Sequence, residues 1–275
     1  MSQDLNLVEH YGGGGLLAAI EAGLAKLGKS SKTATVEDLG PVDEFHIGGR
    51  SATVELSQRL DVSPGTRLLD VGCGIGGTSR FFASTTGCQV TGIDLSPTYV
   101  DVARTLTEWT GLSDQVAFEA GSALEMPFAN ESFDRAVQLH VGMNIDDKAA
   151  LFAEIARTLR PGGRLAVYDI LRVGAGDLEY PVPWASDTSQ SFVGDPEDYR
   201  TSLEAAGFEV DTRDRRQFAM DFFAAQAARA TGTSGPPPLG LHLIIGADTP
   251  TKLGNLRSAI DAGTLAPVEF ICSLK

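Results

Sequence analysis

The stretch LLDVGCGIGGTSRFFA, residues 68–83, places an apolar run ending in Asp70 and Val71 ahead of four glycines in six positions. Bare Cα atoms let a backbone turn sharply and come into contact with a ligand, so the stretch reads as a strand feeding a helix through a binding loop. Its spelling, Gly72-x-Gly74-x-x-Gly77, matches the dinucleotide fingerprint. Asp70 argues against that ligand. A carboxylate two residues before the first glycine would face the pyrophosphate and repel it. S-adenosylmethionine carries an ammonium and a sulfonium and no phosphate, so an acid beside it is favourable. If Asp70 instead only caps the loop amides, a phosphate is still disfavoured.

Around this loop the chain alternates strand and helix patterns. TRLLDV, CQVTGIDL, QVAFEAGS, FDRAVQLH and RLAVYDIL read as strands. A helix follows the second, with Ser96 as cap and Pro97 in its first turn, and DDKAALFAEIARTLRPGG forms another that stops at Pro161-Gly162-Gly163. Repeated strand–helix units predict a parallel sheet with helices on both faces. Ahead of the sheet, Leu16, Ile20, Leu24 and Leu27 share one helical face behind the Gly12–Gly15 run, and a polar stretch separates them from a helix opened by Gly48-Gly49. Residues 1–45 are expected to form a helical flap or a docked terminal helix, and residues 46–275 the main domain. The connection at residues 171–196 is rich in Gly, Pro and Ser yet carries aromatics, which marks it as a cap rather than a plain linker. The tail adds a helix, a strand, two more helices and a closing strand, PVEFICSL.

Composition narrows the partners. A net charge of −14 repels nucleic acid and anionic membrane surfaces while suiting a cationic ligand. Three cysteines build no disulfide framework and show no paired metal-ligand spacing, so no metal is expected and a reducing compartment is. The N-terminal stretch lacks a basic segment followed by an apolar one, and no apolar run nears membrane-spanning length, which makes a cytoplasmic protein with a small-molecule substrate the expectation. Oligomeric state stays open.

The order LLDVGCGIGG, GIDLS, GSALEMPFANESFDRAVQLH and LRPGGRLAVYDI, over residues 45 to about 215, resembles the class I S-adenosylmethionine-dependent methyltransferases. EFHIGG, HVGMNIDDK and EYPVPWA resemble the small-molecule group that includes glycine, sarcosine and dimethylglycine methyltransferases and the quinone-biosynthesis methyltransferases. The resemblance implies an α/β, Rossmann-like, seven-stranded, mostly parallel sheet of order 3-2-1-4-5-7-6 with its last strand antiparallel. It implies S-adenosylmethionine as cofactor. Asp70, Gly72, Gly74 and Gly76 would line its methionine and ribose side, Asp94 with Leu95 its ribose, and Ser122 and Ala123 its adenine. Many members carry an Asp where Ser122 stands. Leu139 and His140, at the end of the fourth strand, would reach the methionine and substrate side.

Methyl transfer from a sulfonium needs the nucleophile held in line, and a hydroxyl or carbon acid also needs a base. His140 is the candidate catalytic residue, as a base or as a packed positioning group. His46, beside Gly48-Gly49, borders the methionine end. Tyr11, Tyr180 and Trp184 are expected to wall the acceptor or to enclose a methylated ammonium. The favoured acceptor is a small amine such as sarcosine or dimethylglycine. The alternatives are O- or C-methylation of a quinol or natural product, and a non-methylating cyclase or binding protein on the same scaffold.

Overall fold

The computed structural model describes residues 15–230 and 235–275. Ahead of the sheet come α1 (Leu16–Lys26), α2 (Val36–Asp43) and α3 (Arg50–Leu60). The alternating part follows as β1 (Arg67–Val71), α4 (Gly77–Thr86), β2 (Gln89–Asp94), α5 (Pro97–Trp109), β3 (Val116–Ala120), β4 (Phe133–Leu139), α6 (Lys148–Thr158) and β5 (Leu159–Arg172). The tail is α7 (Pro196–Ala205), β6 (Phe208–Asp214), α8 (Arg216–Ala230), α9 (His242–Ile245), α10 (Thr249–Asp261) and β7 (Leu265–Leu274). The strands form one sheet in the order β3-β2-β1-β4-β5-β7-β6, as the resemblance implied. β7 runs antiparallel to both β5 and β6, and the other pairs are parallel.

The period-2 alternation of the strands sorts side chains onto two faces. Leu68, Val90, Ala166 and Tyr168 pack with Leu56 and Leu60 of α3, Phe81 and Phe82 of α4, and Val100 and Ala103 of α5. Leu69, Val71, Leu165 and Val167 face the opposite way, against Leu151, Phe152 and Ile155 of α6 and Tyr199 and Leu203 of α7. With helices covering both faces, the open ends of the parallel strands are where loops can carry chemistry. The loops after β1, β2, β3 and β4 all emerge along that one edge.

Two boundaries differ from the sequence expectation. Pro161-Gly162-Gly163 lies within β5, because α6 already ends at Thr158 and the chain enters the sheet at Leu159, opposite Phe133. The polar stretch before residue 45 holds α2, which is closed by a capping box. Asp38 N donates to Thr35 Oγ1 (3.2 Å) and Thr35 N donates to Asp38 Oδ2 (3.0 Å). Pro41 sits inside this helix, which disguises it in the sequence.

Residues from before and after the sheet meet above its edge. Leu16, Ile20 and Leu24 of α1 and Leu39 and Val42 of α2 share a core with Leu239, Leu243, Ile244, the glycine-loop residue Ile75, and Tyr99. Gly23 is what lets the two chain segments touch: a Cβ there would lie 2.4 Å from Pro238 O. The 171–196 connection contributes Val182, Trp184 and Ala185 to another core, with Ile47, Met143 and Ile170.

Because α2 is short and contains a proline, its cap carries much of its stability. Thr35→Ala should destabilise the protein by roughly 1 kcal/mol in urea unfolding, with Thr35→Ser close to the parent.

Candidate active site

The glycine loop is held open by β2. Gly72 N and Cys73 N both donate to Ile93 O (2.8 and 3.0 Å), and Gly74 N donates to Asp94 Oδ2 (2.8 Å). The other Asp94 oxygen accepts from Ser96 N (2.9 Å), so the carboxylate is fixed at the mouth of the loop. Gly72, Gly74 and Gly76 all have positive φ, at 70°, 53° and 84°. What surrounds them differs. A Cβ on Gly72 would strike the Val141 side chain at 2.4 Å, and one on Gly76 would strike Phe118 and Arg80 at 2.5 and 2.8 Å. A Cβ on Gly74 would meet nothing within 4 Å. Gly74 therefore faces open space, whereas Gly76 is outside the cavity lining and serves the approach of α4 to the sheet.

One cavity gathers Asp70, Gly72, Cys73, Gly74, Asp94, Leu95, Ser122, Ala123, Leu139 and His140. Ser122 Oγ accepts from Leu124 N (3.2 Å) and so closes the turn after β3. Asp43, Phe45, His46, Thr78, Tyr99, Val141, Asn144, Ile145 and Ile244 also line the cavity. Most of these had no signal in the sequence, because α2, α9 and the turn after β4 reach the site only through tertiary packing. Tyr180 is half-buried and Trp184 buried; both pack in the neighbouring core and are outside the cavity lining. The Trp184 indole N–H donates to Ser191 Oγ (3.0 Å), which ties the 171–196 connection to itself. Tyr11 and its glycine run through Gly14 lie outside the described residues.

Four acids crowd this end of the sheet. Asp70 accepts from Ser79 Oγ (2.6 Å), and burial, with the charge of Asp94 adding to it, pushes its carboxyl up to about 7. Burial also raises Asp43, Glu44 and Asp94. Asp43 accepts from Arg80 (2.6 Å) in a fully buried pair, and Glu44 lies 2.9 Å from Arg50 Nε. Among the described residues Asp70 and Asp94 have no cationic side chain against them.

The far wall is made by the turn after β4. His140 adopts a left-handed φ of 54°, and its N–H donates to Tyr168 O (2.7 Å). The next two amides, Val141 N and Gly142 N, donate to Asp169 (2.8 and 3.1 Å). Asp169 also accepts from Gln138 Nε2 (2.7 Å) and Tyr199 OH (3.0 Å). A non-glycine residue in this conformation is strained, and the surrounding bonds hold it there. The His140 ring stands 6.0 Å from that of His46 and 5.2 Å from that of Tyr168. Burial lowers His46 to about 4, and burial with His46 nearby lowers His140 well below the ordinary histidine range. Both imidazoles are neutral at pH 7.

Residues 69–167 match the family model described as a methyltransferase domain. The O-methyltransferase resE of Aspergillus sclerotiorum is 31% identical over 208 residues, covering 72% of this chain and 77% of that protein. The chain belongs to the class I S-adenosylmethionine-dependent methyltransferases. The methyltransferase GfsG of Streptomyces halstedii is 39% identical over 140 residues, 51% of this chain, and the match spans only 50% of GfsG. Among solved structures, geranyl diphosphate C-methyltransferase from Streptomyces coelicolor superposes with a TM-score of 0.72 at 15% identity, covering 100% of this chain and 99% of that one. Phosphoethanolamine N-methyltransferase 2 of Haemonchus contortus, solved with S-adenosyl-L-methionine, gives 0.68 at 20% identity, covering 88% and 57%. At these identities the two structures show a shared fold.

The cavity of this methyltransferase fits such a cofactor. Open space lies over Gly74, and Asp70 and Asp94 line the cavity with no cationic side chain against them among the described residues, which suits a cationic ligand. The folded protein holds the Asp70 proton more tightly than the unfolded chain does, so this group's contribution to stability falls as pH rises from about 4 to about 7. A bound ammonium favours the carboxylate and opposes that preference. Affinity for S-adenosylhomocysteine, read by calorimetry, should fall as pH is lowered from about 8 to about 6, by up to about tenfold per unit. Asp70→Asn should flatten that slope. In the same assay Gly74→Val should abolish binding, because the side chain would fill the open space.

Proposed function

We propose that this protein transfers the methyl group of S-adenosylmethionine to a hydroxyl oxygen of a small organic acceptor. The carrying observation is the pair of imidazoles, His46 and His140, that line the cavity beside the glycine loop with their rings 6.0 Å apart. A hydroxyl is a poor nucleophile until its proton has somewhere to go, and an imidazole lone pair can take it as the methyl carbon arrives. Burial opposes the imidazolium that forms, and at His46 the nearby Glu44 carboxylate offsets that cost. A small amine needs only to arrive neutral. Of the aromatic residues expected to surround its cationic product, Tyr180 and Trp184 pack away from the cavity, and Tyr11 lies outside the described residues. Relatives bearing the name O-methyltransferase also support an oxygen acceptor; one is rstn1 of Aspergillus nomiae, 31% identical with 82% of its length covered.

In this reading Asp94 and Leu95 hold the ribose, Ser122 and Ala123 the adenine edge, and Asp70 with the Gly72–Gly74 backbone the methionine portion. The cofactor supplies an activated methyl carbon on a sulfonium that leaves as a neutral thioether. The protein's own work is to align, to exclude water and to accept a proton. α1 and α9 roof the glycine loop from one side. The 171–196 segment backs the turn carrying His140: Phe192 N donates to Met143 O (2.8 Å), and Lys148 Nζ donates to Phe192 O (2.8 Å).

The test is mass spectrometry of the protein incubated with S-adenosylmethionine and a panel of phenols, quinols, aliphatic alcohols and small amines. A hydroxylated acceptor one methylene heavier, with S-adenosylhomocysteine released, is the expected result. Methylation of amines alone sinks the oxygen assignment. Conversion at unchanged mass would mark a non-methylating reaction, as the name of the structurally similar cyclase SpnF describes for that protein (TM-score 0.65, 24% identity).

A further inference from the structure

We propose that His46, oriented by Glu44, takes the acceptor's proton, and that His140 instead donates a hydrogen bond to the same oxygen. This deepens the hydroxyl-acceptor reading and rests on it.

The tautomer of His46 follows from its neighbours. Its Nε2 lies 3.2 Å from Gly49 O, 3.0 Å from Thr53 Oγ1 and 3.3 Å from Glu44 Oε2. A carbonyl oxygen can only accept. The single hydroxyl proton of Thr53 goes to Glu44 Oε2 (2.9 Å), so Thr53 turns lone pairs toward the ring. Every neighbour of Nε2 is then an acceptor, and Nε2 must carry the hydrogen. A neutral imidazole has one such hydrogen, so Nδ1 presents its lone pair. Among the described residues Nδ1 takes no hydrogen bond, and the residue lines the cavity.

His140 has the opposite pattern. Its Nε2 is buried and has no hydrogen-bond partner among the described residues. An orphaned N–H in the interior is rarer than an under-used acceptor, so the hydrogen sits on Nδ1. The two rings meet at 6.0 Å with planes 72° apart, one offering a lone pair and the other a donor. An alcohol or phenol complements that pair, because its hydroxyl donates once and accepts as well. A tertiary amine or a carbonyl oxygen can only accept.

As the acceptor oxygen bonds to the methyl carbon, the carbon–sulfur bond breaks and its electron pair stays on sulfur. The hydroxyl proton passes to His46 Nδ1, and the imidazolium keeps its Nε2–H on Gly49 O and Thr53 Oγ1, with the Glu44 carboxylate 3.3 Å away. Glu44 is itself held by Arg50 and Thr53. It is a positioning residue: it accepts the Thr53 hydroxyl hydrogen bond, so that Thr53 turns a lone pair to Nε2, and its charge offsets the one that forms.

The deciding experiment is long-range 1H–15N NMR of the full chain labelled with 15N-histidine, saturated with S-adenosylhomocysteine, with resonances assigned through His46→Gln and His140→Asn. The expected spectrum shows neutral His46 as the Nε2–H tautomer and neutral His140 as the Nδ1–H tautomer at pH 7. With phenol as the probe, the Nδ1 signals of both rings should move together. His46 found as Nδ1–H or as imidazolium overturns the proposal. So does a phenol-induced shift at His140 alone, or at neither ring. Glu44→Leu removes the acceptor of the Thr53 hydroxyl and frees it to donate to Nε2, so His46 should convert to mixed tautomers while His140 stays unchanged; an unaltered His46 overturns the role given to Glu44. The hydroxyl reading itself fails in the acceptor panel and the cofactor assignment fails in calorimetry, so each is separable from a wrong tautomer.

Discussion

Buried negative charge is the constraint around which this site is organised. Asp43, Glu44, Asp70 and Asp94 come from α2, the segment after it, β1 and β2, and burial pushes every one of them upward. Taking carboxylates out of water is costly unless cations or donors replace the solvent. Arg80 and Arg50 do this for Asp43 and Glu44, while Asp70 and Asp94 have hydroxyl and amide donors alone among the described residues. The free protein thus stores an electrostatic deficit that a cationic ligand offsets. The same balance explains the deep burial of Arg80, which joins α4 to α2 through Asp43 and to α5 through Ala103 O and Thr107.

The second organising contact joins two loops. Val141 packs where a Cβ on Gly72 would stand, so the glycine loop and the turn after β4 are one packed unit. Asp169 gathers the amides of that turn, and the same turn touches the 171–196 connection through Met143 and Phe192. His140 inherits its position from this assembly. His46 inherits its own from Glu44, Thr53 and the Gly49 carbonyl. The two imidazoles differ in what they present because their buried edges meet different atoms. Adjacent residues of one type can therefore hold opposite hydrogen-bonding roles.

Much of this was legible before any coordinates. The short apolar runs in TRLLDV and RLAVYDIL mark strands, since a half-turn per residue sends successive apolar groups to the two helical layers. The glycine loop with Asp70 and Asp94 marked a cationic adenosine-type ligand, and the ordered blocks implied the strand order that the sheet adopts. Helix α2 was harder to see: its capping box is present in the sequence, but Pro41 and polar neighbours mask the period. Gly76 looked like a ligand contact because spacing cannot tell a glycine that faces a cofactor from one that faces Phe118. Trp184 looked like an acceptor wall because an aromatic in a loop carries no label for what it packs against.

The sequence by itself determined the sheet, the binding loop and the sign of the ligand's charge, because hydrophobic period, glycine freedom and charge are properties of neighbouring residues. Only the tertiary structure decided which glycine opens onto the cavity, that Asp43, Asn144 and Ile244 border it, and which atoms surround Nε2 of each histidine. Those properties depend on atoms brought together from distant parts of the chain. His46 and His140 are 94 positions apart in the sequence, and their rings stand 6.0 Å apart in the fold.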